Sequence, residues 1–240
     1  MTTLLATERI KLFTTRSPWW STLLALGMTI GFAALVALNH SGGPLTVRHS
    51  QFGAQFGLMI VTVMAALAIT TEYRFATIRA TFQAVPHRTA VLLAKTAVVA
   101  VLAAVIGEVA AFGSWITARV IDGGPEMNLV TGGDWRAVAG LGLVYAVGAV
   151  IAVAVGTLIR QSAGAISVLL IWPLLVENLV QLIPRVGEDI HNWMPFTAVS
   201  RFTDSTVPGP IGPWASLAYF AGVAAVLLVA ALAVAEKRDA

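Results

Sequence analysis

The chain has 240 residues, 58% of them hydrophobic and only 11% charged, with a mean hydropathy of +0.82 and no cysteine. This excludes a disordered chain, which is charge-rich and apolar-poor, and it excludes a disulfide-stapled domain and thiol chemistry. Long continuous apolar blocks also exclude an outer-membrane barrel, whose strands alternate. The class that remains is an all-α membrane protein.

The first segment, residues 1–18, predicts an amphipathic interfacial helix. On a helical wheel Leu5, Ala6, Ile10, Leu12 and Phe13 fall on one side, with Thr7, Glu8, Lys11, Thr14 and Thr15 opposite. Arg9 and Arg16 lie within the apolar arc and must snorkel to the headgroups. Lying on lipid and docking a partner subunit are compatible uses of such a helix. Charge ahead of an apolar run also resembles a signal peptide. However, the run is about 20 residues long and no small-x-small cleavage site follows, so an uncleaved anchor is expected.

Windows of about 19 residues predict six transmembrane helices. They are Trp19 to Leu38, near Phe52 to Thr70, Val91 to Ala118, Ala137 to Ile159, Ala163 to Ile183, and Trp214 to Ala235. Residues 1–240 therefore form a single transmembrane domain. Lys and Arg collect on one side: Arg9, Lys11, Arg16, Arg74, Arg79, Arg88, Lys95, Arg160, Lys237 and Arg238, against Arg48, Arg119, Arg136, Arg185 and Arg201. Six acids, Asp122, Glu126, Asp134, Glu188, Asp189 and Asp204, fall on the second side. The positive-inside rule then puts both termini in the cytoplasm, N-in and C-in. The pI near 9.7 follows from this sorting and does not point to nucleic acid. Most tryptophans lie near span ends, Trp172 being the mid-span exception. Gly27-xxx-Gly31 and Gly53-xxx-Gly57 have the spacing of close helix packing, which 21 glycines also produce by chance.

The connection between spans two and three, residues 71–90, is a cytoplasmic loop. Read as one helix, Phe75, Ile78, Phe82 and Val85 share an arc of about 80°, with Glu72, Arg79 and Gln83 on an adjacent polar edge. Pro86 stops that helix. The string from Glu72 to Lys95 has a Glu72-Tyr73 start, a Thr77-Ile78-Arg79 centre, then Pro86-His87-Arg88 and Lys95. It resembles the first intracellular loop of type-2 ABC exporter permeases, and the span count and polarity agree with that family. The resemblance implies a short cytoplasmic coupling helix seated in a cleft of an ATP-binding subunit, with Glu72, Tyr73, Phe75, Ile78, Arg79 and Phe82 as partner-binding residues. It also implies a second permease copy or a sister permease, with ATP and magnesium held by the partner subunit and no cofactor on this chain. The location it implies is a bacterial cytoplasmic membrane.

Residues 184–213 form a long outer segment in which Trp193, Met194, Phe196, Val199 and Phe202 are too apolar for a purely solvated loop. The family likeness implies short re-entrant helices there. Within the spans, charges are costly and mark functional candidates. Glu108 and Glu177 are two such carboxylates, Gln181 shares the face of Glu177, and Gln55 stands at the outer end of span two. Pro173 is expected to kink span five. These four residues are candidates for a substrate pathway, and helix–helix hydrogen bonding is the other use of such groups.

The chain has no phosphate-cradling Gly-x4-Gly-Lys-Ser/Thr loop, no His-Glu-x-x-His and no Gly-x-Ser-x-Gly. An enzyme is not expected. The expected function is the permease subunit of an ATP-driven exporter moving a hydrophobic or amphipathic compound (a drug, antibiotic, peptide or lipid-like molecule). The alternatives are an ion-coupled secondary transporter or channel using Glu108 and Glu177, and a membrane scaffold or immunity protein.

Overall fold

A computed structural model describes residues 2–85, 87–204 and 206–237, so Met1, Pro86 and Arg238 lie outside the described residues. Of the described residues 82% are helical and none lies in a strand. Among the described residues six helices are long and apolar enough to cross a membrane, the pattern of a multi-pass membrane protein.

In chain order, α1 (Thr2–Thr14) turns at an extended Thr15 into α2 (Arg16–Asn39). A short α3 (Val47–Ser50) leads into α4 (Ala54–Arg74). The small helix α5 (Thr77–Ala84) follows, then the 34-residue α6 (Arg88–Ile121). Next come a 3-10 turn at Pro125–Met127, α7 (Gly132–Ala139) and α8 (Leu141–Ile159). The fifth crossing is compound: α9 (Ser162–Ile171), a π-helical turn at Trp172–Val176, and α10 (Glu177–Val180). Two short helices, α11 (Gly187–Asn192) and α12 (Pro195–Thr203), precede α13 (Pro213–Lys237). The expected span limits agree to within a few residues, except that the fourth span divides at Gly140 and the stretch 137–139 belongs to α7.

The core is built around α8. In its most apolar stretch 67% of residues are buried, against 50% for α4 and α6 and 17–22% for α2, α9–α10 and α13. Tyr145 of α8 is the node. Its ring packs on Gly107 of α6, and its hydroxyl lies over Gly57 of α4 and donates to the Ala54 carbonyl at 2.6 Å. Gly53 meets the Thr29 backbone of α2 in the same way. The Gly53/Gly57 pair is thus a true close-approach face, because any Cβ there would collide with a neighbouring helix. A Cβ at Gly27 or Gly31 would meet no neighbouring element within 4 Å.

Three features shape the ends of the bundle. Ala76 has φ 56°, a left-handed conformation that closes α4 and starts α5 in a new direction. The expected single helix from Glu72 to Val85 is therefore broken at Phe75–Ala76. Gly140 separates α7 from α8 and lets the Phe202 ring of α12 pack on the backbone. Pro173 lacks an amide hydrogen, and the chain widens around it so that the Glu177 N–H reaches back five residues to the Trp172 carbonyl. The carbonyls of Pro173 and Leu174 are met instead by Asn178 Nδ2, at 3.3 and 2.9 Å. The expected kink is thus a π-helical turn.

Candidate functional sites at the two ends of the bundle

One face of the bundle carries α1, α5, the end of α4, the start of α6 and the end of α13. Its centre is an ionic cluster. Lys95 of α6 is buried, with 5% of its side chain exposed, and its ammonium bonds the Glu8 carboxylate of α1 and Glu72 Oε1 of α4, the latter at 2.9 Å. Lys11 closes the group from the rim, 2.9 Å from Glu8 Oε1, 3.5 Å from Glu72 Oε1 and 3.1 Å from the Thr81 hydroxyl of α5. Burial alone would lower the Lys11 pKa. The bond to Glu8 and the field of Glu72 outweigh it and hold the ammonium above its ordinary value, so it stays charged at neutral pH. Two carboxylates and two ammonium groups balance, as buried charges must.

This arrangement decides which edge of α1 faces the bundle. Glu8 and Leu12 point into the protein, while Leu5, Ile10 and Phe13 are exposed. The buried charges draw the Glu8 edge of α1 inward together with Leu12, and Leu5, Ile10 and Phe13 are left for the surroundings.

The six residues expected at the coupling helix divide between two roles. Phe75 is 68% exposed and Arg79 is exposed beside it. Ile78 is buried and pins α5 to the bundle. Phe82 is half-buried under the Arg88 guanidinium, 5.4 Å from its ring centre, and Tyr73 is half-buried under Arg160 at 5.1 Å. Glu72 belongs to α4 rather than α5, and its carboxylate faces Lys95. Ser162 ties the start of α9 to Thr70 of α4 at 2.8 Å on the same face. Between α1, α4 and α6 lies a cleft of about 580 Å³, with Glu72 and Lys95 in its wall.

The opposite face holds the second site. Glu177 is 2% exposed, and both oxygens are used. Oε1 accepts from the Trp172 indole at 3.1 Å and the Phe196 amide at 3.0 Å, and Oε2 accepts from the Thr197 amide and hydroxyl at 2.8 and 2.9 Å. Phe196 and Thr197 are in the first turn of α12, so Glu177 caps that helix from the end of the fifth crossing. His191 adds a second tie. Its Nδ1 lies 2.7 Å from the Glu177 carbonyl and its Nε2 lies 2.6 Å from Gln181 Nε2. Those partners assign a neutral ring that donates from Nδ1 and accepts at Nε2. Arg201, buried, donates to the Asn192 carbonyl, Asn192 Oδ1 and the Pro208 carbonyl at 2.7, 2.7 and 3.0 Å, binding α11, α12 and the following loop together. Tyr219 and Phe220 of α13 support this cap through Trp193 and Phe196.

Beneath the cap is a cleft of about 370 Å³ whose wall includes Gln55, Tyr145, Glu177, Asn178 and His191. Of the four pathway candidates, Gln55 and Glu177 meet there. Gln181 is turned to His191, and Glu108 lies against Gly142 at the start of α8, lining neither cleft. No group of three or more metal-ligating side chains occurs among the described residues.

Lys95, Glu8, His191 and Thr197 were not among the expected site residues. Lys95 had a signal in the sequence: it is a charge four residues inside the predicted third span, and such a charge requires a partner. Compared with known proteins, the chain matches no family model and no curated protein.

Proposed function

We propose that the chain is the permease subunit of an ATP-driven exporter, of the type-2 ABC kind, that moves a hydrophobic or amphipathic compound across a bacterial cytoplasmic membrane. The observation that carries this reading is the way α5 is mounted. It is set off from α4 by a left-handed residue, presents Arg79 outward just beyond the exposed Phe75 that ends α4, and is held to the bundle by Ile78 and by the Lys11–Thr81 bond into the ionic cluster. A helix so placed receives force from outside and passes it to two crossings at once.

In this reading both termini, α1 and α5 are cytoplasmic, and ATP with magnesium is bound by a separate subunit that grips α5. Closure of two such subunits moves α5 in each of two permease copies, and the α11–α12 cap at the outer face controls release. The ion-coupled alternative is weakened at Glu177, whose four accepted hydrogen bonds are those of a fixed structural carboxylate.

The test is co-purification followed by function. The tagged chain in mild detergent is expected to bring down a stoichiometric partner with a phosphate-binding loop. Phe75→Asp and Arg79→Glu, both at exposed positions, are then expected to abolish transport while the permease keeps its thermal stability. Wild-type transport in both variants, or transport that survives ATP depletion, would reject the assignment.

A further inference from the structure

The connection between α2 and α4 is tied to the α11–α12 cap by the Arg48–Asp204 ion pair at 2.6 Å, and its one helical turn, α3, is held by a histidine. Thr46 stands at the N-cap of α3, and its amide donates to Nδ1 of His49 at 3.1 Å. The Thr46 hydroxyl lies 2.9 Å from the same nitrogen. A backbone N–H can only donate, so Nδ1 carries the lone pair and the ring is neutral, with its hydrogen on Nε2. Glutamate or glutamine ordinarily fills this position of a capping box. Here the acceptor is a side chain of the kind that titrates near neutrality.

That tautomer fixes where a further proton goes. Nε2 already carries one, so the ring becomes a cation only by taking a proton at Nδ1, the atom that holds the box shut. A closed box and a protonated His49 therefore exclude each other.

The neighbours offer the cation no compensation. α2, α6 and α7 pack on α3. From the end of α2 comes His40, its ring centre 4.7 Å from that of His49 and its Nε2 buried without a partner among the described residues. A cation on that ring would bury an uncompensated N–H. Arg119 of α6 is turned to the Met127 carbonyl, and Glu108 of α6 lies against Gly142. On α7, Asp134 is bound by Thr131 and Arg136 by the Phe202 carbonyl. Arg48 of α3 adds a like charge, and Asp204 at the end of α12 is engaged by Arg48.

We propose that the Thr46–His49 box is an acid-sensitive latch: protonation of His49 at Nδ1 opens it, frees α3 and releases the Arg48–Asp204 tie to the end of α12. Thr197, Val199, Ser200 and Thr203 of α12 line the smaller cleft, so the latch links the pH at this face to the wall of that cleft. The sign follows from where the proton binds. Only the open form takes it, so the closed form keeps its full weight above the ordinary histidine value of about 6.5 and loses about tenfold per pH unit below it. The latch does not depend on the exporter assignment.

The test exploits a chain without cysteine, in which paired spin labels can be introduced singly. Gly42→Cys in the connection and Gly212→Cys just before α13 both have open space for a side chain. The full chain in phosphatidylcholine nanodiscs is followed by double electron–electron resonance from pH 8 to pH 5. One narrow distance distribution is expected at pH 8, with a second, broader one growing in below about pH 6.5. His49→Gln keeps an acceptor for the Thr46 amide but cannot be protonated, so it should stay closed throughout. His49→Leu offers no acceptor and should be open already at pH 8. A wild-type distribution unchanged down to pH 5, or an acid response retained in His49→Gln, would overturn the inference. Hydrogen exchange in α8 should keep its protection over the same range, and its loss in step with the new distance would overturn the latch in favour of general unfolding.

Discussion

Lys95 shows how much a single side chain can hold in a chain this apolar. Its ammonium joins α1, α4 and α6, through Glu8 and Glu72. Removing one member of a buried ionic group strands the others without compensation, at a cost of about 3–5 kcal/mol. Lys95→Met is therefore expected to lower the thermal midpoint in detergent sharply. Adding Glu8→Gln removes one stranded charge and should recover part of the loss, whereas independent effects would simply add. The spacing of Lys95 within its span was readable from the sequence, but its partners were not. Glu8 is 87 residues away and Glu72 is 23. Both stand in segments whose local pattern reads as solvated polar edge, so only the folded arrangement turns those edges inward.

Among the elements, the six crossings were legible because a run of about 20 apolar residues leaves few other solutions. The short helices were less so. The break before α5 falls on Ala76, a residue with no preference for the left-handed region, and nothing in the sequence marked it. That break is why Glu72 and Phe75, expected on one helix with Ile78 and Phe82, serve different neighbours. The cap at the opposite face depends on a bond between residues 19 and 20 positions apart, Glu177 to Phe196 and Thr197. The carboxylate was visible as a candidate, but its use as a helix cap was not. Glu177→Gln replaces one accepting oxygen by a donor and sets it against donors already present, the Thr197 amide or the Phe196 amide and Trp172 indole. Hydrogen exchange at Phe196, Thr197 and Ala198 is expected to quicken by about tenfold or more, with exchange in α8 unchanged. Equal protection of these amides in variant and wild type would show that α12 needs no cap.

At the scale of the molecule, the bundle is a set of helices arranged around α8, and α2, α4 and α8 come together where the Gly53/Gly57 face of α4 meets Thr29 and Tyr145. Gly57→Leu forces α2, α4 and α8 apart together. Overpacking of this kind typically costs about 1–3 kcal/mol, and a uniform fall in thermal midpoint is expected. The mirror change, Gly27→Leu, meets open space and should leave the midpoint where it was. The two glycine pairs are indistinguishable in sequence spacing, and only their surroundings separate them.

The π-helical turn at Trp172–Val176 has a further consequence, one of phase. Each residue of an α-helix advances the winding by about 100°, and a π-turn accommodates one extra residue without advancing the axis to match. Everything after Pro173 is rotated by that amount relative to a straight continuation of α9. Glu177 points to Thr197 and the first turn of α12 under this rotation. Under the unrotated winding it would take an azimuth about a quarter-turn away, and its neighbours Leu174, Leu175 and Leu179 show what lies around that perimeter: all are exposed and apolar. The aim of the carboxylate is thus set four residues upstream of where it acts, by the missing amide hydrogen of Pro173.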